Sequence, residues 1–193
     1  MPRRLRHQRQ DRAAPTGRRA AASITTVTRL LFVCMGNICR SPTAEGVMAH
    51  LLEEAGLTGS IQIDSAGTGG WHAGSPPDER SAATAARRGI TLTGAARQLR
   101  RQDFEDYDLL LCADAANVRD LLNLLPPDDH AARAKVRLLR EFDPASVAAD
   151  DLDVPDPYYG GSRGFDDVLD LVERACAGLL EQLRTQATAE GGQ

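Results

Sequence analysis

Along the chain, short continuous apolar runs alternate with longer stretches of helical spacing. Residues 30–34 (LLFVC) form an unbroken apolar run, the pattern of a strand buried on both faces. Residues 42–55 carry apolar positions at helical spacing, with Pro42 suited to a first helical position. The segment 60–65 (SIQIDS) alternates as a strand, 78–88 is Ala-rich and helical, and Gly89 suits the end of that helix. A second buried strand is predicted at 107–112 (YDLLLC), a helix at 115–125 stopped by Pro126-Pro127, a last strand at 135–139 and a long closing helix at 165–183. Alternation of apolar strands with helices predicts an α/β fold: a small doubly wound four-stranded parallel sheet with helices on both faces. No internal repeat interrupts it.

Sheets of this kind bind ligands beyond the carboxyl ends of their strands, so the first strand-to-helix loop, residues 34–41, is the first place to look for chemistry. Composition narrows the search. At 193 residues with 42% hydrophobic content the chain suits one well-buried domain. The longest apolar stretch, 30–35, is far short of the roughly 20 residues that span a membrane.

Charge is unevenly spread. Residues 1–29 hold eight Arg against Asp11, a segment of +7 in a chain of net charge −4, so the remainder stands at −11. Such an acidic body argues against nucleic acid as a partner. Residues 1–28 lack any apolar period and are expected to be a disordered Arg-rich tail, ahead of a domain over 29–185 and a disordered C-terminal tail over 186–193. Arg18-Arg19 with AAASITTV is a poor twin-arginine export signal, because its apolar stretch is weak and Arg29 interrupts it. Four irregularly spaced cysteines, at 34, 39, 112 and 176, form neither a disulfide framework nor a zinc pattern, which points to a reducing cytoplasm.

The 34–41 loop reads CMGNICRS, a Cys followed after five residues by Arg40 and Ser41. Spacing alone is weak, but here it leaves a buried strand and enters a helix. Backbone N–H groups of Met35, Gly36, Asn37, Ile38 and Cys39 can then curl around an anion that faces the helix's positive end. Gly36 permits a close or left-handed backbone, and Asn37 tolerates positive φ while its amide ties the loop together. Arg40 offers a planar fork that matches two phosphate oxygens. These groups favour negative charge on the Cys34 sulfur, to which Ser41 can donate a hydrogen bond. The chemistry that follows is attack on phosphorus through a cysteinyl-phosphate intermediate, with no metal or cofactor required.

CMGNICRSPTAE closely resembles the signature of the low-molecular-weight protein tyrosine phosphatases, and VPDPYYGG (154–161) is similar to that family's general-acid loop. Further similarity lies in IDSAGTGGWHAG (63–74), ARQLRRQDFEDYDLLLCAD (96–114) and the closing helix. The resemblance implies Cys34 as nucleophile, Arg40 as phosphate clamp and Asp156 as general acid. Tyr158 and Tyr159 are implied as one aromatic wall for a phenol ring and Trp71 as the opposite wall, with His72 on the rim. Cys39, five residues from Cys34, can form a reversible disulfide with it that guards the sulfur from over-oxidation, with simple loop packing an equal alternative. Tyrosine-phosphorylated proteins are the expected substrates, with a tyrosine kinase as a further partner.

Four other functions share parts of this pattern. Thioredoxin-coupled arsenate reductases need two more cysteines close together, and Cys112 has no such neighbour. Arginine phosphatases of the same family carry Thr where Ile38 stands, and a single aromatic in the acid loop. A non-catalytic phosphotyrosine-binding module would lack acid or nucleophile, and both are present. A redox sensor built on Cys34 and Cys39 remains.

Overall fold

The computed structural model describes residues 28–158, 161 and 163–190. Most of the expected N-terminal tail, Tyr159 and the last three residues lie outside them. Four strands, β1 (Thr28–Cys34), β2 (Ile61–Gly67), β3 (Leu109–Cys112) and β4 (Val136–Leu138), pair in parallel in the order β2-β1-β3-β4. Among the described residues seven helices surround them: α1 (Arg40–Glu54), α2 (Glu79–Ala86), α3 (Asp103–Asp106), α4 (Ala115–Asn123), α5 (His130–Ala134), α6 (Pro144–Ala149) and α7 (Arg163–Glu190). A 3-10 turn, Leu139–Phe142, follows β4.

Central β1 explains why its sequence is continuously apolar. Leu30, Phe32 and Cys34 point into one core with Val47 and Met48 of α1 and Val172, Cys176 and Leu179 of α7. Leu31 and Val33 point the other way, into a core with Leu110 and Cys112 of β3 and Leu121 of α4. Each such side chain contributes about 1.5–3 kcal/mol on full burial, so both faces must be covered for β1 to be stable. The sheet order reverses at β1: one connection leads to β2 on its one side, the next crosses to β3 on its other. The carboxyl ends of β1 and β3 therefore flank the crevice where ligands of this architecture bind.

Three details depart from the sequence expectation. Helix α1 begins at Arg40, so Pro42 is its third residue; the first turn has no internal acceptors for its N–H groups, and a proline there costs no bond. Helix α7 continues past 183 to Glu190, through residues 186–190 of the expected C-terminal tail, because no Gly or Pro interrupts it before Gly191-Gly192. Helices α3, α5 and α6 are too short to show a period. Among the described residues, no helix is long and apolar enough to cross a membrane.

Candidate active site

The loop leaving β1 is fastened at nearly every residue by its neighbours. The Cys34 and Met35 carbonyls accept N–H bonds from Thr68 and Gly69 at 2.9 Å each, just beyond β2. A side chain on Gly67 would stand 2.8 Å from the Met35 carbonyl oxygen, so only glycine lets β2 run this close. Asn37 takes the left-handed conformation, at φ 55°. Gly36 does not, and its missing side chain instead admits the ring of His72, whose Cδ2 would lie 3.0 Å from a Cβ there. The Ile38 carbonyl accepts from Asp78 N–H at 2.7 Å, at the start of α2.

The Asn37 side chain is the internal brace. Its Nδ2 donates to Ser41 Oγ at 3.0 Å and Ser65 Oγ at 2.9 Å, while its Oδ1 accepts from Arg97 N–H at 2.8 Å. Ser65 donates onward to Glu45 Oε2 at 2.6 Å. Burial raises the Glu45 carboxyl above the usual glutamate range, against the pull of the Ser65 bond. The braced loop leaves Cys34 Sγ 3.0 Å from Ser41 Oγ and 3.3 Å from Asn37 N, which donates to it. Cys34 is 3% exposed, so only a group that enters the loop can reach the sulfur.

Arg40, the first residue of α1, is buried. Its Nη1 donates to Asp114 Oδ2 at 2.5 Å and to the Val154 carbonyl at 3.1 Å, and its Nη2 to Asp156 Oδ2 at 3.2 Å. Burial alone would lower its pKa; the Cys34 sulfur, Asp114 and Asp156 outweigh that and raise it. Asp114 caps α4 by accepting Asn117 N–H at 2.7 Å, so its carboxylate is fixed at the end of β3. Asp156 accepts Tyr158 N–H at 3.0 Å. Thus Cys34, Arg40 and Asp156, read from two distant segments, meet in one cleft of about 310 Å³.

Met35, Gly36, Ile38 and Cys39 line the cleft floor; Trp71, His72 and Tyr158 stand around its mouth. Trp71 is 72% exposed. Asn37 and Ser41 lie beneath the loop rather than in the cleft. Cys39 is buried, and that burial, then the nearby Asp78 charge, pushes its thiol up to about 12. Cys112 and Cys176 are buried in the two cores, with thiols pushed up by desolvation, and take no part in the site.

Sequence reasoning missed several groups. Asp114 was the most legible, because a residue just past the carboxyl end of a strand next to β1 belongs at the crevice. Ser65, Glu45 and Arg97 are ordinary polar residues until the sheet brings them under Asn37. Arg80 is another: Asp78 Oδ1 and Oδ2 hold it at 3.0 and 2.9 Å, it donates to the Tyr158 carbonyl at 3.3 Å, and it lies over the rings of Tyr158 and Phe165.

A buried thiol at a strand end, with a guanidinium and a carboxylate beside it in one cleft of a doubly wound sheet, is the arrangement of a cysteine-dependent phosphoryl-transfer centre. A family model described as low molecular weight phosphotyrosine protein phosphatase matches residues 29–189. A low molecular weight protein-tyrosine-phosphatase of Streptomyces coelicolor is 52% identical over 158 residues, covering 82% of this chain and 94% of the relative. The human low molecular weight phosphotyrosine protein phosphatase is 39% identical over 153 residues, covering 79% and 94%. A solved Bacillus subtilis structure aligns with TM-score 0.76 at 38% identity, covering 83% of this chain and 97% of that one. The chain belongs to the low molecular weight phosphotyrosine protein phosphatase family.

Proposed function

We propose that this protein hydrolyses phosphotyrosine in proteins through a cysteinyl-phosphate intermediate. The observation that carries this is the convergence of Asp156 on Arg40, 3.2 Å apart and 116 residues distant in sequence, above the loop that holds Cys34. The phosphoryl group enters the loop, where N–H groups and Arg40 meet its oxygens. Cys34 thiolate attacks phosphorus, the bond to the phenolic oxygen breaks, and the Asp156 carboxyl gives that oxygen its proton. A water then attacks the phosphocysteine and passes a proton to Asp156. The P–S bond breaks, and inorganic phosphate leaves with the thiolate restored.

Asp114 positions Arg40, and the Asn37, Ser41 and Ser65 brace spares the loop reorganisation during the reaction. Trp71 and Tyr158 flank the cleft as walls for the phenol ring, a role we extend to Tyr159. A redox role for Cys39 rests on its place with Cys34 in the cleft lining, and burial, which raises its thiol, opposes it. All four cysteines are free, which supports a reducing cytoplasm as the setting. A kinase that phosphorylates tyrosine is the activity that supplies such a substrate, and signalling is the role we assign to the pair.

Rapid acid quench during turnover of a phosphotyrosine peptide should trap phosphate on Cys34. Cys34→Ser should retain phosphate binding and keep less than about 1% of the turnover. Higher residual activity, or phosphate trapped elsewhere, would remove Cys34 from the mechanism. Asp156→Asn should slow phosphotyrosine hydrolysis by roughly two to four orders of magnitude, and activated aryl phosphates far less, because a good leaving group hardly needs the proton.

A further inference from the structure

Arg140, in the 3-10 turn after β4, is only 4% exposed. A guanidinium buried this far must have its charge and its N–H groups met. Its partners all come from one downstream stretch of chain. Nε donates to Ser146 Oγ at 3.0 Å, Nη1 to the Asp153 carbonyl, and Nη2 to Asp151 Oδ2 at 3.2 Å. Ser146 donates in turn to Asp143 Oδ2 at 2.7 Å, an oxygen that also accepts from Arg174 of α7 at 3.2 Å. Burial would raise the Asp143 carboxyl, but the Ser146 hydroxyl, Arg174 and the Ala145 N–H together hold it below the usual aspartate range. The network is thus charged and anchored to the longest helix.

Where that anchor acts matters more than its strength. Residues 151–157 form no helix or strand, so no backbone ladder sets their course toward the cleft. Their path is set at a few points instead. Asp153 is held on both sides: Arg140 takes its carbonyl, and its Oδ1 accepts Ala115 N–H at 2.9 Å, at the start of α4. The next residue, Val154, donates its N–H to Ala113 O at 2.7 Å and offers its carbonyl to Arg40. Asp156 follows two residues later. Arg140 itself does not line the cleft.

We propose that Arg140 is a positioning residue for the general acid. By holding the Asp153 carbonyl and the Asp151 carboxylate, it fixes the stem of the loop and so the point at which the Asp156 carboxyl meets the leaving oxygen. The inference rests on the assignment of Asp156 as that acid. A planar fork can serve acceptors in three directions at once, which a lysine ammonium on a flexible stem does not reproduce. A displacement near 1 Å at a reacting group is enough to cost about 100-fold.

The test uses the full chain. Arg140→Lys, Arg140→Met and Asp151→Asn are assayed against a series of aryl phosphates of graded leaving-group pKa, each alone and combined with Asp156→Asn, with melting temperatures recorded. Arg140→Lys should lower kcat for phosphotyrosine by about 10- to 100-fold and for activated aryl phosphates much less, and should lose nothing further in the Asp156→Asn background. Asp151 is largely exposed, so Asp151→Asn keeps the fold even if Arg140→Met does not, and should steepen the leaving-group dependence in the same direction by a smaller amount. A wild-type dependence in both Arg140→Lys and Asp151→Asn would overturn the inference. So would equal losses in the two backgrounds, which would reduce Arg140 to a packing residue while Asp156 keeps its role. A wild-type dependence in Asp156→Asn alone would overturn the acid assignment and the positioning role with it.

Discussion

Gly69 illustrates how a residue with no chemistry can shape a site. A Cβ at this position would overlap the six-membered ring of Trp71, so the indole folds back over the loop only because position 69 is bare. Gly69→Ala should push the ring aside and raise KM for aryl phosphates by about 3- to 10-fold, the scale of one lost aromatic contact, with kcat nearly unchanged. KM for an alkyl phosphate should not move, and steady-state kinetics on the two substrates measure the difference. In the sequence, Gly69 was one letter inside GTGGW, whereas Cys34, Arg40 and Ser41 stood out at once. The reason is physical: the loop's function is written in consecutive residues, because one turn of backbone surrounds the anion. Asp114, Ser65 and Glu45 act across gaps that only the strand order closes, and Gly69 acts on a ring two residues on whose posture the letters do not record. Asp156 was reachable from its local sequence only as a turn residue, and its role came by resemblance.

Strands and long helices were legible because burial imposes a period or a run on them, as in 30–34 and in the closing helix. The 3-10 turn Leu139–Phe142 was not, since four residues cannot display a pattern. Yet that turn sets one of the tightest approaches in the fold. Gly178 of α7 lies against the Phe142 carbonyl oxygen, where a Cβ would collide with it. Two effects oppose each other in Gly178→Ala. Helix propensity favours alanine by about 1 kcal/mol, while forcing α7 away from the turn costs about 1–3 kcal/mol and disturbs the packing beneath Arg140. The obstruction is backbone and cannot rotate away, so the variant should be net destabilised, with a lower urea midpoint. A raised midpoint would mean that the helix slides without loss.

Across the whole molecule, the family match begins at residue 29 and the sheet at Thr28, while seven of the eight N-terminal arginines precede both. Removing residues 1–27 should therefore leave melting temperature and turnover of a small aryl phosphate essentially unchanged, as calorimetry and a plate assay would establish. An effect confined to protein substrates would mark the segment as a docking element. The site itself is spread widely along the chain: Arg40 meets Asp114 across 74 residues and Asp156 across 116. Contacts so distant form only after the entropy of closing large loops has been met, which puts them late in folding. A chain still emerging from the ribosome carries the residues of its nucleophile loop long before its acid, but β1 lacks the α7 cover on one face until the last helix has been made. Loop and acid are therefore completed together, once synthesis has passed α7 and that helix has docked on β1, so that anion affinity and turnover of phosphotyrosine both report the final act of folding.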